Sequence, residues 1–416
     1  MNILFYIGNS PFPYGSAGAA RVRALAQGLA NAGATVRVLS LAVLEDREED
    51  HVSGGRAFHG VPYESVTGYG RSARRLPLLI GKLLNYSHML SSSLRGYSRV
   101  KQLTSSQDVD AIILYGWNCI EVEPVIRLAR SRGITTLCDV VEWPTVKSFR
   151  GGMINPLYWL TRRTWQASHF LSDGIIAISS FIEGQYVSKG RPAIRIPAVT
   201  DLQPPCRPAR QATEKQSQPA IRLAYLGKLA GKDDPETMLA AIKLAIEKGT
   251  SVHLDLLGTN GRAGAKYQSI CSADPLLASA VSFHGWVPDE HLPAYLQRAD
   301  ALILLRRADD ETRASFPTRL PELLLNCLPV ITSAVGSISE YLVDQKSVIL
   351  APAGDAPRLA DRILDLACHP ERAARIGKAG FQVCLEHFRA EKYALQLIKF
   401  LESLSDTPQD RRMDAK

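Results

Sequence analysis

The sequence lacks the features that would place it in several specialised classes of protein. No apolar run reaches the roughly 18–20 residues of a membrane-spanning helix, and the longest uncharged candidate, Leu323–Ser339, is interrupted by Asn326 and Pro329. The 30 glycines and 24 prolines show no collagen-like repeat, and 46% apolar residues are too many for a largely disordered chain. The 416 residues therefore predict a globular protein of two or three domains, at about 100–200 residues each.

The seven cysteines are odd in number and include no CxxC spacing. This pattern predicts reduced thiols rather than disulfides or a zinc site. The chain begins Met1 to Phe5 without a basic region and runs directly into an apolar strand, which argues against a cleaved secretion signal. We therefore expect a cytoplasmic protein.

Positive charge is concentrated in the first half of the chain. Residues 1–200 carry 22 Lys and Arg against 14 Asp and Glu, whereas residues 201–416 carry 27 of each. Much of the excess lies in residues 71–101, where cations flank the apolar Leu76–Leu84. The flanking cations nearest to this stripe are Arg71, Arg74, Arg75 and Lys82.

Basic residues beside an apolar stripe favour adsorption to an anionic membrane, here the inner face of the cell membrane. The alternative is a solvated helix whose arginines cover its apolar side. Nucleic acid is a less favoured partner, because the sequence contains no helix-turn-helix, zinc-finger or RNP pattern.

Short apolar runs alternate with helix-period segments along the whole chain, which predicts βαβ units and mainly parallel sheets. Residues 202–219, LQPPCRPARQATEKQSQP, have no period and predict a linker. We expect an α/β protein of two doubly wound halves, residues 1–201 and 220–384, with ligands beyond the carboxyl ends of the strands in a cleft between the halves. The helix-period segments include Ile338–Val343 and a long helix, Glu371–Leu404. The predicted strands are Ile3–Gly8, Val36–Leu41, Ala111–Tyr115, Thr135–Val141, Gly174–Ile178, Ile194–Ile196, Ile221–Leu226, Ser251–Leu257, Val281–Phe283, Ala301–Leu305, Val330–Ser333 and Val348–Leu350.

Two glycine-containing loops are candidates for binding a diphosphate. Gly15-Ser-Ala-Gly18 follows the first strand and opens a helix, where small residues let an anion approach free N–H groups; a tight strand-to-helix turn is the alternative. Gly227-Lys228 with Lys232 follows the first strand of the second half, and two cations four residues apart on such a loop suit a phosphate dianion. Two solvated lysines are the alternative here.

A third candidate is the segment from Pro317 to Thr332. Thr318 and Arg319 precede a short helix with Glu322 in its first turn. A carboxylate there stabilises the helix dipole, and it is equally suited to accept hydrogen bonds from a ribose diol. The residues alone leave both interpretations open.

These segments together resemble a retaining glycosyltransferase of the GT-B fold, of the type called glycosyltransferase family 4. Gly227-Lys228 with Lys232 is similar to the family's G-[RK]-x3-K segment, whose cations hold the donor diphosphate. Phe283-His-Gly285-Trp-Val287 is similar to its FxGxV turn beside the nucleotide base. Residues 317–332 resemble its P-[ST]-[KR]-x2-E helix and P-V-I strand, with Glu322 at the ribose-binding glutamate.

The resemblance extends to the first half of the chain. Residues 15–23 resemble the glycine-rich acceptor-side loop, which implies substrate contacts at Gly15 and Gly18. Asp139-Val-Val141-Glu142 resembles the family's D-x-H-E segment, with Val141 in place of histidine and Glu142 retained as the acceptor-side catalytic candidate. Residues 173–201 resemble the family's last strands before the linker, and a helix at about residues 385–404 is implied to cross back onto the first half.

The resemblance implies transfer of a sugar from a nucleotide-diphosphate sugar to a sugar or a lipid-linked glycan, with no cofactor and no metal. Lys228, Lys232 and Arg319 would stabilise the departing diphosphate. One departure is Ala314, where many members carry a glutamate that contacts the sugar; the acidic run Asp309–Glu311 is a possible substitute. A sugar-nucleotide epimerase of the same fold and a non-catalytic scaffold subunit are the alternative functions.

Overall fold

The computed structural model describes residues 1–8, 10, 12–45, 47–53, 55–68, 78–106, 108–202, 220–229, 231–288 and 290–405. Contacts divide the chain into two compact units, which we call unit 1 (Met1–Asp201 and the segment from Arg389) and unit 2 (Leu202–Phe388). The predicted linker lies, apart from Leu202, outside the described residues. Of the basic segment, residues 71–77 lie outside them as well, and side chains are described from Tyr86 onward.

The described strands of unit 1 form one sheet in the order β3-β4-β5-β2-β1-β6-β7-β8-β9. Its pairs are parallel except β3–β4 and β4–β5, which are antiparallel. Strands β3 to β5 were not predicted from the sequence. Apolar and polar residues alternate in these edge strands, so they contain no continuous apolar run. The strands are β1 (Asn2–Ile7), β2 (Thr35–Ser40), β3 (His51–Val52), β4 (Gly55–Phe58), β5 (Val61–Ser65), β6 (Ala111–Tyr115), β7 (Thr135–Val140), β8 (Gly174–Ala177) and β9 (Ala193–Arg195).

Among the described residues, five α-helices belong to the first part of unit 1. They are α1 (Ala17–Asn31), α2 (Leu78–Ser106), α3 (Cys119–Ser131), α4 (Pro156–Gln166) and α5 (Ser180–Val187). Helix α1 begins where the glycine-containing loop predicted it, since the hydroxyl of Ser16 accepts the N–H of Ala19 as an N-cap. It ends before Gly33, whose φ of +91° suits only glycine without strain.

The described strands of unit 2 form a fully parallel six-stranded sheet in the order β12-β11-β10-β13-β14-β15. In unit 2 the first strand, β10, lies inside the sheet. Strands β11 and β12 are added on one side of it, and β13 to β15 on the other. The strands are β10 (Ala220–Leu226), β11 (Ser251–Leu257), β12 (Val281–Gly285), β13 (Ala301–Leu304), β14 (Val330–Ser333) and β15 (Ile349–Ala351). Two doubly wound sheets, one mainly and one fully parallel, confirm the predicted fold class. The reversal between β10 and β13 creates the crevice in which such sheets bind ligands.

The helices of unit 2 flank this sheet. They are α6 (Pro235–Glu247), α7 (Gly261–Ser272), α8 (Pro275–Ala280), α9 (Leu292–Arg298), α10 (Asp310–Ala314), α11 (Leu320–Leu324), α12 (Ala356–Cys368) and α13 (Pro370–His387). The predicted helix Ile338–Val343 is a single 3₁₀ turn, Ile338–Glu340, in the structure. Six residues form little more than one turn, so an isolated apolar pattern of this length is weak evidence for a helix.

The predicted helix Glu371–Leu404 is wrong as one element, because the structure divides it into α13 and α14 (Ala390–Ser405). Phe388 is buried against the rings of Phe316 and Tyr341 in unit 2. The next residue, Arg389, forms a β-bridge with Thr200 of unit 1. These two demands remove the chain from the helical path between His387 and Ala390.

Each unit has its own hydrophobic core, and the last helix contributes to the core of unit 1. Leu397 and Leu401 of α14 are fully buried in the same cluster as Leu25 and Leu29 of α1. The two helices approach closely at Gly28, where an added Cβ would stand 3.1 Å from the backbone of Ala390. Within the described part of the chain, no helix combines the length and hydropathy needed to cross a bilayer.

Candidate functional site

Three glycines meet at the carboxyl edge of the sheet in unit 2. Gly227 follows β10, Gly258 follows β11 and Gly285 ends β12. The N–H of Gly258 donates to the carbonyl of Gly285 at 2.5 Å, and a Cβ on Gly258 would stand 3.3 Å from the carbonyl of Gly227. Gly258 and Gly285 have φ of +82° and +63°, which glycine adopts without strain. The edge is therefore lined by backbone rather than by side chains.

Arg319 joins this edge from the segment before α11. Its Nη1 donates to the carbonyl of Leu226 at 2.6 Å, and an added Cβ on Gly227 would collide with the guanidinium. Thr318 precedes Arg319, and Glu322 lies in the first turn of α11; all three are half-buried. The structure thus brings the predicted Gly227 loop, Gly285 and Arg319 together, with Val287 two residues beyond Gly285.

Tyr225, near the end of β10, binds the loop that carries Lys228 and Lys232. The buried hydroxyl of Tyr225 accepts the N–H of Leu229 at 3.0 Å and donates to a carboxylate oxygen of Asp233 at 2.7 Å. Burial, and then the charge of Asp233, raise the pKa of Tyr225, so the hydroxyl remains a donor at any physiological pH. The two ends of the loop are therefore tied to one side chain.

Arg307, which follows β13, holds the same loop from the side. Its side chain donates to the carbonyls of Asp233 at 3.0 Å and Gly231 at 2.6 Å, and its N–H donates to the carbonyl of Lys232 at 3.1 Å. Neither Tyr225 nor Arg307 was predicted from the sequence as part of the site. The available signals were a tyrosine near the end of a largely apolar strand and an arginine pair after the adjacent strand.

The acidic run Asp309–Glu311 forms the N-terminal end of helix α10. Asp309 caps the helix by accepting the N–H of Thr312 at 2.8 Å, and Asp310 lies 3.1 Å from Arg313. Ala314 itself is fully buried at the end of this helix. Asp309 and Asp310 therefore have local structural roles.

His284 beside the glycine edge also has a structural role, as its position suggests. Its Nε2 lies 2.7 Å from the buried carboxylate of Asp255. The residue after Gly285, Trp286, is 71% exposed. Its main-chain N–H donates to the side-chain oxygen of Asn260 at 3.1 Å. An indole is thus held at the surface beside Gly285.

Unit 1 has a small pocket at the carboxyl ends of β6 and β7. Its lining includes Tyr115, Trp117, Val141 and Glu142. The main-chain carbonyl of Glu142 accepts the indole N–H of Trp165 at 2.8 Å. The residues that line the pocket are Tyr115, Gly116, Trp117, Asp139, Val140, Val141, Glu142, Trp165 and His169.

Gly18 of the predicted acceptor-side loop lies at the same edge of the unit 1 sheet. An added Cβ on Gly18 would stand 2.7 Å from the hydroxyl of Tyr115. Gly15, three residues earlier, has a φ of +95° that allows the chain to turn into α1. The structure therefore brings Gly18 and Glu142 to the same pair of strand ends, with Tyr115 between them.

A buried ion pair connects this edge to α1. Arg21 donates to both carboxylate oxygens of Asp139 at 2.8 Å and to the carbonyl of Pro197 at 2.7 Å. Both side chains are almost fully enclosed. The carboxylate of Asp139 therefore positions α1 through its pairing with Arg21. This pair was not predicted from the sequence, although an arginine on the apolar face of a helix was a signal.

His169, on the wall of the pocket, is neutral. Burial lowers its pKa to about 3, and its Nδ1 lies within hydrogen-bonding distance of the Tyr186 hydroxyl, at 2.6 Å. A histidine that does not take up a proton near neutral pH is a poor general base, so its role is structural. Among the described residues, no group of three or more His, Cys, Asp or Glu side chains is arranged to hold a metal ion.

Two family models match the chain in succession. A glycosyl transferase 4-like domain matches residues 16–200, and the domain of glycosyl transferases group 1 matches residues 220–369. Among solved structures, sucrose-phosphate synthase from Thermosynechococcus elongatus aligns with a TM-score of 0.69 and 19% identity, over 97% of this chain and 98% of that one. The chain belongs to the GT-B glycosyltransferases.

This glycosyltransferase is also similar to a second solved structure and, over part of its sequence, to a biosynthetic glycosyltransferase. HepE of Anabaena, solved in complex with UDP, aligns with a TM-score of 0.65 and 15% identity over 97% of this chain and 100% of that one. The amylovoran biosynthesis glycosyltransferase AmsK of Erwinia amylovora is 26% identical over 195 residues. That match covers 46% of this chain and 47% of AmsK, so the chain spans about half the length of this curated relative.

Proposed function

We propose that this glycosyltransferase moves a sugar from a nucleotide-diphosphate sugar to an acceptor hydroxyl, with retention of the anomeric configuration. The observation that carries the proposal is the cationic edge of unit 2. Gly227, the loop with Lys228 and Lys232, and Arg319 lie together at the reversal point of a doubly wound sheet. Phosphate groups bind at such points, on backbone N–H groups and fixed cations.

The cations act on the leaving group. As the bond between the anomeric carbon and the diphosphate breaks, negative charge grows on the departing oxygens. Charges that are already in place stabilise this state without having to reorganise. The contacts of Tyr225 and Arg307 fix the backbone that carries Lys228 and Lys232, which is the arrangement that this form of catalysis requires.

We assign the acceptor to the pocket of unit 1, with Glu142 as its catalytic carboxylate. No closely spaced carboxylate pair is evident in the sequence, so we favour attack on the face that the diphosphate leaves, over a covalent intermediate. In this scheme a departing phosphate oxygen takes the acceptor proton, while Glu142 orients the acceptor. Tyr115 stays protonated, because burial raises its pKa, and can donate to the acceptor.

The donor assignment draws further support from relatives. HepE was solved with UDP and with UDP-glucose. In the present chain the exposed indole of Trp286 beside Gly285 is suited to contact the base, and Glu322 is suited to the ribose diol. The similarity to AmsK, a glycosyltransferase of amylovoran biosynthesis, favours assembly of a bacterial surface polysaccharide or glycolipid.

The proposal also includes independence of metal ions and of cofactors, because the chain's own cations supply the charge opposite the diphosphate. It includes association with the inner face of the cell membrane through residues 71–101, whose basic and apolar composition suits an anionic surface.

The direct test is release of nucleoside diphosphate from UDP- and GDP-sugars, with and without lipid-linked glycan acceptors and in the presence of EDTA. We expect release that depends on the acceptor and persists in EDTA, and a product whose anomeric configuration, determined by NMR, matches the donor. Donor conversion without an acceptor would indicate an epimerase. Binding of nucleotide without turnover of any donor would indicate a scaffold subunit.

A further inference from the structure

Unit 1 exposes several large apolar side chains on one short stretch of chain. Ile154 is 91% exposed, Met153 55% and Trp159 48%, and Val146 is exposed as well. Single exposed apolar residues are normal, whereas a contiguous group marks an interaction surface. We call residues 146–162 the apolar tip.

The apolar tip is a built structure. Two 3₁₀ turns, Val146–Ser148 and Gly152–Ile154, meet where an added Cβ on Gly152 would stand 3.2 Å from Val146. The indole N–H of Trp159 donates to the carbonyl of Met153 at 2.9 Å.

Asn155 joins the tip to two helices. Its side-chain oxygen accepts the N–H of Leu157, at the start of α4, and the hydroxyl of Tyr86 on α2, at 3.0 and 3.1 Å. The apolar side chains of Met153 and Ile154 are therefore held outward by a fixed backbone.

The segment that carries the tip contains no acidic residue of its own, and the acid nearest to it in the fold, Glu123, is paired with Arg163. Between Glu142 and Asp173 the sequence contains no Asp or Glu. The same thirty residues contain four cations, and of these Lys147, Arg150 and Arg162 are exposed within the tip. The guanidinium of Arg162 lies 5.5 Å from the centre of the Trp159 ring.

We infer that the apolar tip inserts at the boundary between headgroups and acyl chains of an anionic bilayer, with Met153, Ile154 and Trp159 against the acyl chains and the cations at the phosphates. Apolar side chains beside cations match both layers of such an interface. Tryptophan is enriched there, because its ring is apolar and its N–H is polar. This surface is distinct in sequence from residues 71–101.

Charge decides between a bilayer and a second copy of the chain. In a two-fold dimer the same patch faces itself, so the cations of one tip would lie opposite those of the other with no acid in the segment between them. An anionic bilayer instead offers charge of the opposite sign over the whole patch.

The position of the apolar tip near the acceptor pocket gives it a role in acceptor entry, and this role rests on the proposed function. Helix α4 carries both Trp159 of the tip and Trp165, whose indole holds the backbone of Glu142. A bilayer bound at the tip would therefore lie near the pocket that we assign to the acceptor, and a lipid-linked acceptor would enter from that surface.

The test uses the full chain with vesicles of phosphatidylcholine, with and without phosphatidylglycerol. We expect Met153→Ser with Ile154→Ser to weaken binding to the anionic vesicles at least tenfold, since burial of one aliphatic side chain contributes about tenfold. Lys147→Ser with Arg150→Ser should weaken the same binding and make it less dependent on salt. The control is Val187→Ser with Leu395→Ser, two exposed apolar residues of unit 1 outside the tip, with an expected change below twofold.

A second readout locates the indole. Lipids brominated in the acyl chain should quench the tryptophan fluorescence of the bound protein, and Trp159→Phe should remove most of that quenching. Wild-type binding by the Met153, Ile154 pair variant, or quenching that survives Trp159→Phe, would overturn the inference. Self-association that only this pair variant abolishes, measured by sedimentation, would overturn it in favour of a dimer.

The outcome is separable from that of the proposed function. Turnover with a short soluble acceptor does not need a bilayer, so the pair variant should keep wild-type turnover on it. Vesicle binding as expected without any turnover would support the membrane role of the tip and reject the proposed function. Turnover without tip-dependent binding would support the proposed function and reject the membrane role.

Discussion

Several side chains of this glycosyltransferase act by holding a neighbour in place. Tyr225 joins both ends of the lysine loop, Arg307 binds its carbonyls, and Arg21 with Asp139 fixes α1 against the acceptor-side strands. Removing one partner of a buried pair such as Arg21 and Asp139 typically costs about 3–5 kcal/mol, because the other charge is left buried. The candidate substrate-binding residues depend on these supports.

Tyr225→Phe tests the support of the lysine loop. Loss of the hydroxyl leaves the buried N–H of Leu229 without this acceptor and should cost about 1–3 kcal/mol in unfolding free energy. We also expect kcat to fall about tenfold, since a shift of the cations weakens their effect on the leaving diphosphate. The matched control is Tyr267→Phe, which loses contacts with the side chains of Glu236 and Lys266 instead of a contact with the loop backbone. If both variants lose stability and neither loses kcat, Tyr225 is only a packing residue.

Glu322→Ala distinguishes a ribose contact from a helix cap. A ribose contact is made equally in the ground and transition states, so the variant should raise the donor KM roughly tenfold or more with kcat unchanged. A first-turn glutamate contributes only about 0.3–1 kcal/mol to its helix. Unchanged donor KM together with a lowered melting temperature would make Glu322 a cap. The exposed Glu340→Ala serves as the control substitution.

The buried His169 should make the unfolding free energy of unit 1 fall at acidic pH. Its folded pKa of about 3 lies below the ordinary value near 6.5, so below pH 6.5 the unfolded chain takes up a proton that the folded chain does not. The unfolding free energy should therefore fall by about 1.4 kcal/mol per pH unit between pH 6 and 4 from this group. Urea denaturation followed by tryptophan fluorescence should show a smaller pH dependence in His169→Gln. Tyr186→Phe, which keeps the ring buried, should retain it; equal slopes for wild type and His169→Gln would refute the assignment.

At the scale of elements, α14 belongs to the core of unit 1 although it ends the described chain. Leu397 and Leu395 are two residues apart on this helix, one fully buried and the other 60% exposed. Leu397→Ala should lower the unfolding free energy of unit 1 by about 2–5 kcal/mol, as buried leucines do. Leu395→Ala should change it by less than about 0.5 kcal/mol. Equal effects in thermal unfolding would show that α14 does not pack as described.

The elements also show where sequence patterns succeed. Continuous apolar strands such as Ile3–Gly8 and Ile221–Leu226 were predicted within one or two residues, because parallel strands buried on both faces have no polar alternation. The hairpin β4–β5 was missed for the opposite reason. The break at Phe388 was missed because a buried aromatic fits a helical period, and its packing against Phe316 is visible only in three dimensions.

For the whole molecule, motif spacing predicted which segments reach the strand ends, but not how they are held there. The approach of Arg319 to Gly227 joins residues 92 positions apart, and the pairing of Arg21 with Asp139 joins residues 118 apart. An arginine on the apolar face of a helix indicates that Arg21 has a buried partner, but the sequence around Arg21 or Arg319 does not identify the partner. The exposed apolar tip likewise emerges only from folding, because Ile154 and Trp159 fit a buried pattern equally well in sequence.

The measurement that tests the central claim most directly is acceptor-dependent release of nucleoside diphosphate by Lys232→Ala, measured beside donor affinity. The Lys232 charge should matter most as the diphosphate leaves, so kcat should fall about 10²–10³-fold with a smaller change in donor Kd. Lys346→Ala, an exposed lysine elsewhere in unit 2, should behave as wild type. Wild-type turnover by Lys232→Ala would contradict the assignment of the lysine loop as the diphosphate site.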